Sequence, residues 1–552
     1  MNIILRSIVT FVLLSLALLS CTQKENSADL IISNATIWTG NEEQPYAEAL
    51  AVKGDTLIAV GSNADIIKYQ SSTTEHIDAQ GQFITPGFID THVHFLYGGF
   101  ALSSVQLRDA QSPEEFVRRI KEFAESQEPG TWILGGDWDH ENWGGELPTK
   151  DWIDQYTPNH PVWVTRLDGH MALANSAALK IAGIDNSVKN VVGGTIVRDL
   201  KGNLTGIFKD NAMDLVLKKI PPPSPIQLSK ALQAAMTYAA SNGVTSVHHV
   251  DGDLSTFQTA LKDKTMITRI YAMLPLNQWQ LLDEKVNQEG QGNKWLKIGA
   301  LKGFVDGSLG SHTAAFFSPY TDVPADSGFF ITSQEQLYTW ISQADKVGLQ
   351  LAVHAIGDKA INTLLNIYEQ VEKENGKRDR RFRVEHAQHI SPADIPRFAQ
   401  LNVIPSMQPY HAIDDGRWAE RTIGPERIKT TYAFKSLFDA GAKVAFGSDW
   451  TVAPAVPLEG IYAAITRRTL DDKNPGGWVP DQKINIEEAL KAYTINAAYA
   501  SFDEKIKGSL EAGKLADFVI IDQDITKIAP EQIKNSKIKQ TFVGGQSVYK
   551  KQ

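Results

Sequence analysis

The sequence predicts an α/β protein: a closed (β/α)8, TIM-like barrel, a small composite β-sandwich domain built from both termini, and a long insertion after the first barrel strand. Three observations carry this reading. Through the middle of the chain, short β-branched runs alternate with amphipathic helical stretches, the pattern of βα units feeding a parallel sheet. Eight such runs can be placed, the number that closes a barrel. The two ends of the chain instead carry short alternating segments punctuated by glycine, which is sheet without intervening helices.

Taken in order, residues 1–20 read as an export signal. Arg6 is followed by an apolar run from Ile8 to Leu19, too short to span a bilayer stably, and then by Ser20-Cys21-Thr22. Leu18-Leu19-Ser20-Cys21 resembles a bacterial lipobox, in which cleavage precedes a cysteine that becomes lipidated. Cys21 is the chain's single cysteine, so an intrachain disulfide is excluded and a thiolate metal site is disfavoured. Acyl chains on Cys21 would hold the protein on a membrane, each buried CH₂ contributing roughly 0.8 kcal/mol. Residues 21–29 form the tether. The expectation is an exported lipoprotein facing the periplasm.

Residues 30–82 and 505–552 supply the composite β domain. A hairpin turn is expected at Lys53-Gly54-Asp55-Thr56 and another at Gly544-Gly545. Residues 83–504 supply the barrel. Its strands are expected at Phe83 to Val93, Val244 to Val250, Thr268 to Leu274, Leu296 to Val305, Leu349 to His354, Arg381 to His386, Val403 to Met407 and Lys443 to Asp449. The insertion covers about residues 96–242, far longer than a normal βα connection, and connections of that length are often lids or binding elements. Pro221-Pro222-Pro223-Ser224-Pro225 reads as a rigid entry to a helix ending near Asn242-Gly243, and Asn485 with Glu488 reads as a capping box.

Composition narrows the partners. The chain has 552 residues, 42% hydrophobic and 21% charged, with net charge −10, so a large buried core is available and no electrostatic footprint for nucleic acid exists. A small-molecule substrate is expected, and a homodimer is left open.

The chemistry gathers at strand ends. His92 and His94 lie two apart at the end of an apolar strand, so their side chains share one face. Lys302, His354, His386 and Asp449 each end another apolar run, and a barrel directs its strand C-termini to one mouth. Four imidazoles, an amine and a carboxylate make a donor set suited to a divalent metal, zinc foremost, with iron, manganese or cobalt as alternatives. His170 is read as a substrate ligand or a rim histidine. Trp138, Asp306, Gln408 and His411 are candidate pocket residues, and His248 and His249 are read as structural.

In that order of ligands the sequence resembles the amidohydrolase superfamily. Lys302-Gly303-Phe304-Val305-Asp306-Gly307-Ser308-Leu309-Gly310, Asp168-Gly169-His170 with Asn175-Ser176, and the long first insertion are similar to the amidohydrolase 3 group, which includes N-substituted formamide deformylases. The resemblance implies that Lys302 is carboxylated and bridges two metals, with His92, His94 and Asp449 on one and His354 and His386 on the other; a single ion beside an unmodified lysine is the alternative. The expected activity is C–N hydrolysis by a metal-activated hydroxide, with Asp449 as the acid/base and a second cation or His170 stabilising the oxyanion. Two other functions stay open: an ester, lactone or phosphotriester hydrolase on the same site, and a non-catalytic ligand-binding lipoprotein. Trp450-Thr451-Val452-Ala453-Pro454 departs from the group, where a small residue and proline commonly follow the Asp.

Overall fold

The computed structural model describes residues 27–551, apart from Asp168, His170, Val192 and Gly193. The expected signal segment, Cys21 and most of the tether therefore lie outside the described residues. Among the described residues, no helix is long and apolar enough to cross a membrane. The chain divides into two compact units, one holding the barrel with the terminal sheets and the other spanning residues 94–236 with 450–454.

The first unit is organised around an eight-stranded parallel sheet. Its strands are β1 (Phe88–Val93), β2 (Val244–His249), β3 (Arg269–Pro275), β4 (Leu296–Phe304), β5 (Gln350–Ala355), β6 (Arg383–His386), β7 (Ile404–Met407) and β8 (Ala445–Phe446), neighbours in sequence pairing in space. The sheet closes between its last and first strands, where the Asp449 amide donates to the His92 carbonyl at 2.7 Å. Gly447 makes that closure possible, because a Cβ there would fall 2.6 Å from the His92 nitrogen. The last strand is shorter than expected. Beyond Phe446 the backbone turns away, and Asp449 has φ 59°, outside strand geometry.

The first expected strand is two strands. Phe83–Pro86 pairs antiparallel with Phe518–Ile521, in the six-stranded terminal sheet, and barrel pairing starts only at Phe88. Gly87 separates them where a side chain would meet Thr245 at 2.3 Å. That terminal sheet combines Thr36–Trp38 and Tyr46–Ala47 with the C-terminal strands Phe518–Ile521, Ile538–Val543 and Gln546–Lys550. A second sheet of four strands comes from residues 30–78. Leu30, Ile32, Leu50 and Val52 from one sheet pack on Ile37, Ile84, Phe518 and Phe542 from the other, as expected where alternate residues face a shared core. The expected hairpins form, Lys53 pairing with Thr56 and Val543 with Gln546.

The second unit has its own six-stranded mixed sheet, with Met171–Ala174 and Val162–Arg166 at its centre. Helix Pro113–Glu125 lays Phe116 and Ile120 on this sheet. The segment after Asp449 belongs here: the Trp450 ring meets Phe95 edge-on, and Arg108 donates to the carbonyls of Thr451 and Val452 at 2.9 and 2.6 Å. The departure in sequence after Asp449 is thus a segment built to pack within this unit.

Candidate metal centre and its family

Strand alternation aims side chains of β1, β4, β5 and β6 into the barrel, and their last residues gather at its C-terminal mouth. His92, Lys302, His354, His386 and Asp449 are all brought together there, each nearly or wholly buried. The His92 and His386 rings lie 4.7 Å apart, and those of His386 and His354 4.6 Å apart. Lys302 Nζ is 3.0 Å from His92 Nε2, which is 3.6 Å from Asp449 Oδ1. His386 reaches this position because it leaves the strand with φ 71°, as Asp449 does with φ 59°. Without those left-handed residues His386 would point to the opposite face from Glu385.

Each imidazole is oriented by a partner on its other nitrogen. His92 donates Nδ1–H to Glu385 at 2.5 Å, which places the lone pair on Nε2. His386 donates Nδ1–H to the Gln408 side-chain oxygen at 2.9 Å, placing its lone pair on Nε2. His354 donates Nε2–H to the Gly307 carbonyl at 3.0 Å, placing its lone pair on Nδ1. An outer partner that fixes both the tautomer and the ring plane is how proteins hold metal-binding histidines. Burial, helped by the Lys302 charge, lowers the proton affinity of His92 and His354, the latter to about 3, and burial with the neighbouring rings lowers that of His386. All three are neutral donors at neutral pH.

Two residues behind this layer are absent from the sequence reading. Arg383 grips Glu385 at 2.6 and 3.0 Å and also reaches the Thr91 carbonyl at 2.6 Å and His248 Nδ1 at 2.8 Å. Burial would raise the Glu385 carboxyl, but Arg383, His92 and Lys302 together hold it well below the usual carboxylate range. Glu385 is therefore a fixed anion beneath His92. The alternation Arg383-x-Glu385 inside an apolar barrel strand was the available signal, since two interior charges there must pair with each other. His248 takes the structural place expected of it, beside Arg383.

The remaining candidates separate by position. Gln408 is fully buried and orients His386, a tighter role than that of a pocket wall. His411, His386 and Asp449 present ligand atoms within 4.8 Å of one another, so His411 stands among the donors. Asp306 accepts amide hydrogens from Ala315, Ile356 and Gly357 at 2.8 to 3.0 Å and lies 3.6 Å from His354 Nε2. Burial pushes its carboxyl up to about 7 against those amides. Its bonds pin the backbone after β4 and β5 to one another. Trp138 corrects the expectation of a pocket wall: it is fully buried, donates to the Val164 carbonyl at 2.9 Å and meets Phe116 edge-on in the second unit's core. His94, next after Val93, opens that unit at the head of helix Phe95–Leu102. His170 and Asp168 lie outside the described residues.

Comparison with known proteins decides the family. The profile described as "Amidohydrolase family" matches residues 75–549. This chain belongs to the amidohydrolase family. It is 40% identical over 539 residues to Protein LONG AFTER FAR-RED 3 of Arabidopsis thaliana, covering 95% of this chain and 92% of that protein. It is 27% identical over 553 residues to the N-substituted formamide deformylase of Arthrobacter pascens, covering 94% and 97%. Among solved structures, an uncharacterized metal-dependent hydrolase from Pyrococcus furiosus superimposes with a TM-score of 0.74 at 28% identity, covering 90% of this chain and all of that one. Membership joins the barrel, the donor cluster and hydrolysis in one account: the protein is an amidohydrolase-family hydrolase with a candidate His/Asp metal site.

Proposed function

We propose that this amidohydrolase hydrolyses a non-peptide C–N bond, in an N-substituted formamide or related small amide, and that it works outside the cytoplasm as a lipoprotein anchored through Cys21. The observation that carries the chemistry is the tautomer set. His92, His354 and His386 each spend one nitrogen on an outer partner, which leaves the other as an unprotonated donor, and His92 Nε2 meets Lys302 and Asp449. That arrangement fits a divalent metal, zinc foremost.

His92, His94 and Asp449 would hold one ion and His354 and His386 a second, with Lys302, carboxylated on Nζ, as a ligand common to both sets. Burial lowers the Lys302 ammonium's hold on its proton, and a neutral amine is what carbon dioxide requires. When bound, such a cation lowers the pKa of water toward about 7 and polarises a carbonyl. The chain's own part is proton transfer: Asp449 accepts the proton of the attacking water and returns it to the nitrogen as the C–N bond breaks. The likeness to the formamide deformylase supports the choice of bond.

The test is turnover of a panel of N-substituted formamides, simple amides, esters and lactones by the metal-replete protein and by Asp449→Asn. Formamide turnover that falls by about a hundredfold or more in the variant, with metal content unchanged, is the expected result. Ester or lactone turnover without amide turnover would contradict the C–N assignment.

A further inference from the structure

A second concentration of buried charge lies at the other end of the barrel. A cavity of about 260 Å³ opens at the first residues of β3 and β4, beside residues 503–507. Arg269, Lys294, Lys297 and Lys507 face it, and Asp503 is the one carboxylate among its lining residues.

The carboxylates within reach are already engaged. Asp517 holds Arg269 through both oxygens at 2.7 and 2.8 Å, and Asp55 pairs with Lys294. Asp503 serves two ammonium groups, Lys297 at 2.8 Å and Lys507 at 3.2 Å. Four cations thus meet three carboxylates. The surplus sits where water screens it least, because the Lys507 side chain is 7% exposed.

The donor count agrees. An ammonium carries three N–H groups. Lys297 uses two, on Asp503 and on the Ser501 carbonyl at 2.6 Å, and Lys507 uses two, on Asp503 and on Ser246 Oγ at 3.3 Å. One donor on each remains for the cavity. The wall opposite is shaped by backbone: Gly292 has φ 90°, and a Cβ there would fall 2.2 Å from the Leu296 carbonyl oxygen. Burial lowers the Lys507 amine's hold on its proton by more than the shared Asp503 carboxylate raises it.

We propose that this cavity is a binding site for a small oxyanion of phosphate size, held by the remaining donors of Lys297 and Lys507 and balancing the surplus charge at the foot of the barrel. Free phosphate and the phosphate of a small monoester share this chemistry.

The test is calorimetric titration of the intact protein with inorganic phosphate and, separately, with glycerol phosphate, at matched ionic strength against chloride. Saturable phosphate binding that weakens by about tenfold or more in Lys507→Met, and again in Lys297→Met, is expected. In phosphate-free buffer Lys507→Met should melt no lower than the parent, because it removes the unbalanced charge. Glycerol phosphate binding as well as phosphate identifies a monoester as the source, and rejection of the ester identifies the free ion. Absence of saturable binding in the parent, or equal binding by both variants, would overturn the proposal; phosphate retained by both is bound elsewhere. Lys297 is the more exposed of the two lysines, so its variant keeps the comparison open should Lys507→Met fail to fold.

Discussion

The two ends of the barrel bury charge in opposite ways. At the C-terminal mouth, neutral imidazoles and a lysine surround one carboxylate, and the fixed anion, Glu385, stands behind them with Arg383. At the foot, permanent cations and carboxylates pair directly, as Arg269 does with Asp517. The first arrangement leaves unprotonated ring nitrogens beside a carboxylate and suits a cation. The second leaves surplus N–H donors and suits an anion. One parallel barrel serves both because its strand ends alternate between ligand residues at one rim and pairing residues at the other.

The first way to sharpen this contrast is at the mouth. Replacing Glu385 by Gln should keep the fold and a hydrogen bond to His92 but remove the anion, weakening metal affinity by roughly 10- to 100-fold. Competition with a chelator measures it. Unchanged affinity would mean that the layer behind the histidines serves packing alone.

At the foot, Asp517→Asn should cost stability, because it strands the buried Arg269 guanidinium beside a neutral amide. Loss of one partner of a buried pair costs about 3–5 kcal/mol, readable by denaturant titration. Metal affinity should stay as it was. A fall in metal affinity of the same size as at Glu385 would erase the distinction between the two ends.

A smaller effect separates titrating from permanent charge. His389 is buried with Nδ1 on Thr431, and burial lowers its affinity for a proton to about 3. The unfolded chain binds that proton near pH 6.5, the folded chain only near 3, so stability is full above about 6.5 and falls as pH drops through that window. Each pH unit costs up to about 1.4 kcal/mol. Replacing His389 by Asn should flatten the acid limb of the stability profile between about pH 6 and 4, and an unaltered slope would place the titration elsewhere.

Much of this was legible in sequence, for a definite reason. Barrel strands such as Leu351-Ala352-Val353-His354 are apolar runs ending in a polar residue, and a mouth ligand looks like that wherever the fold brings strand ends together. What was hidden depended on contacts distant in the chain. Phe83 to Val93 is one apolar run, and its division at Gly87 shows only when Thr245 is seen against that glycine. Glu385 lies beside His386 in sequence, but its importance follows from His92, almost three hundred residues away. Trp138 illustrates the opposite error: named as a candidate pocket residue, its ring fills that unit's own core.

The most direct test of the central claim is elemental analysis of metal per chain in the purified protein and in Lys302→Ala. A lysine-bridged cluster predicts about two divalent ions, falling to one or fewer when the bridge is removed. About one ion in both proteins would contradict the bridge, and none under metal-replete conditions would contradict the metal centre itself.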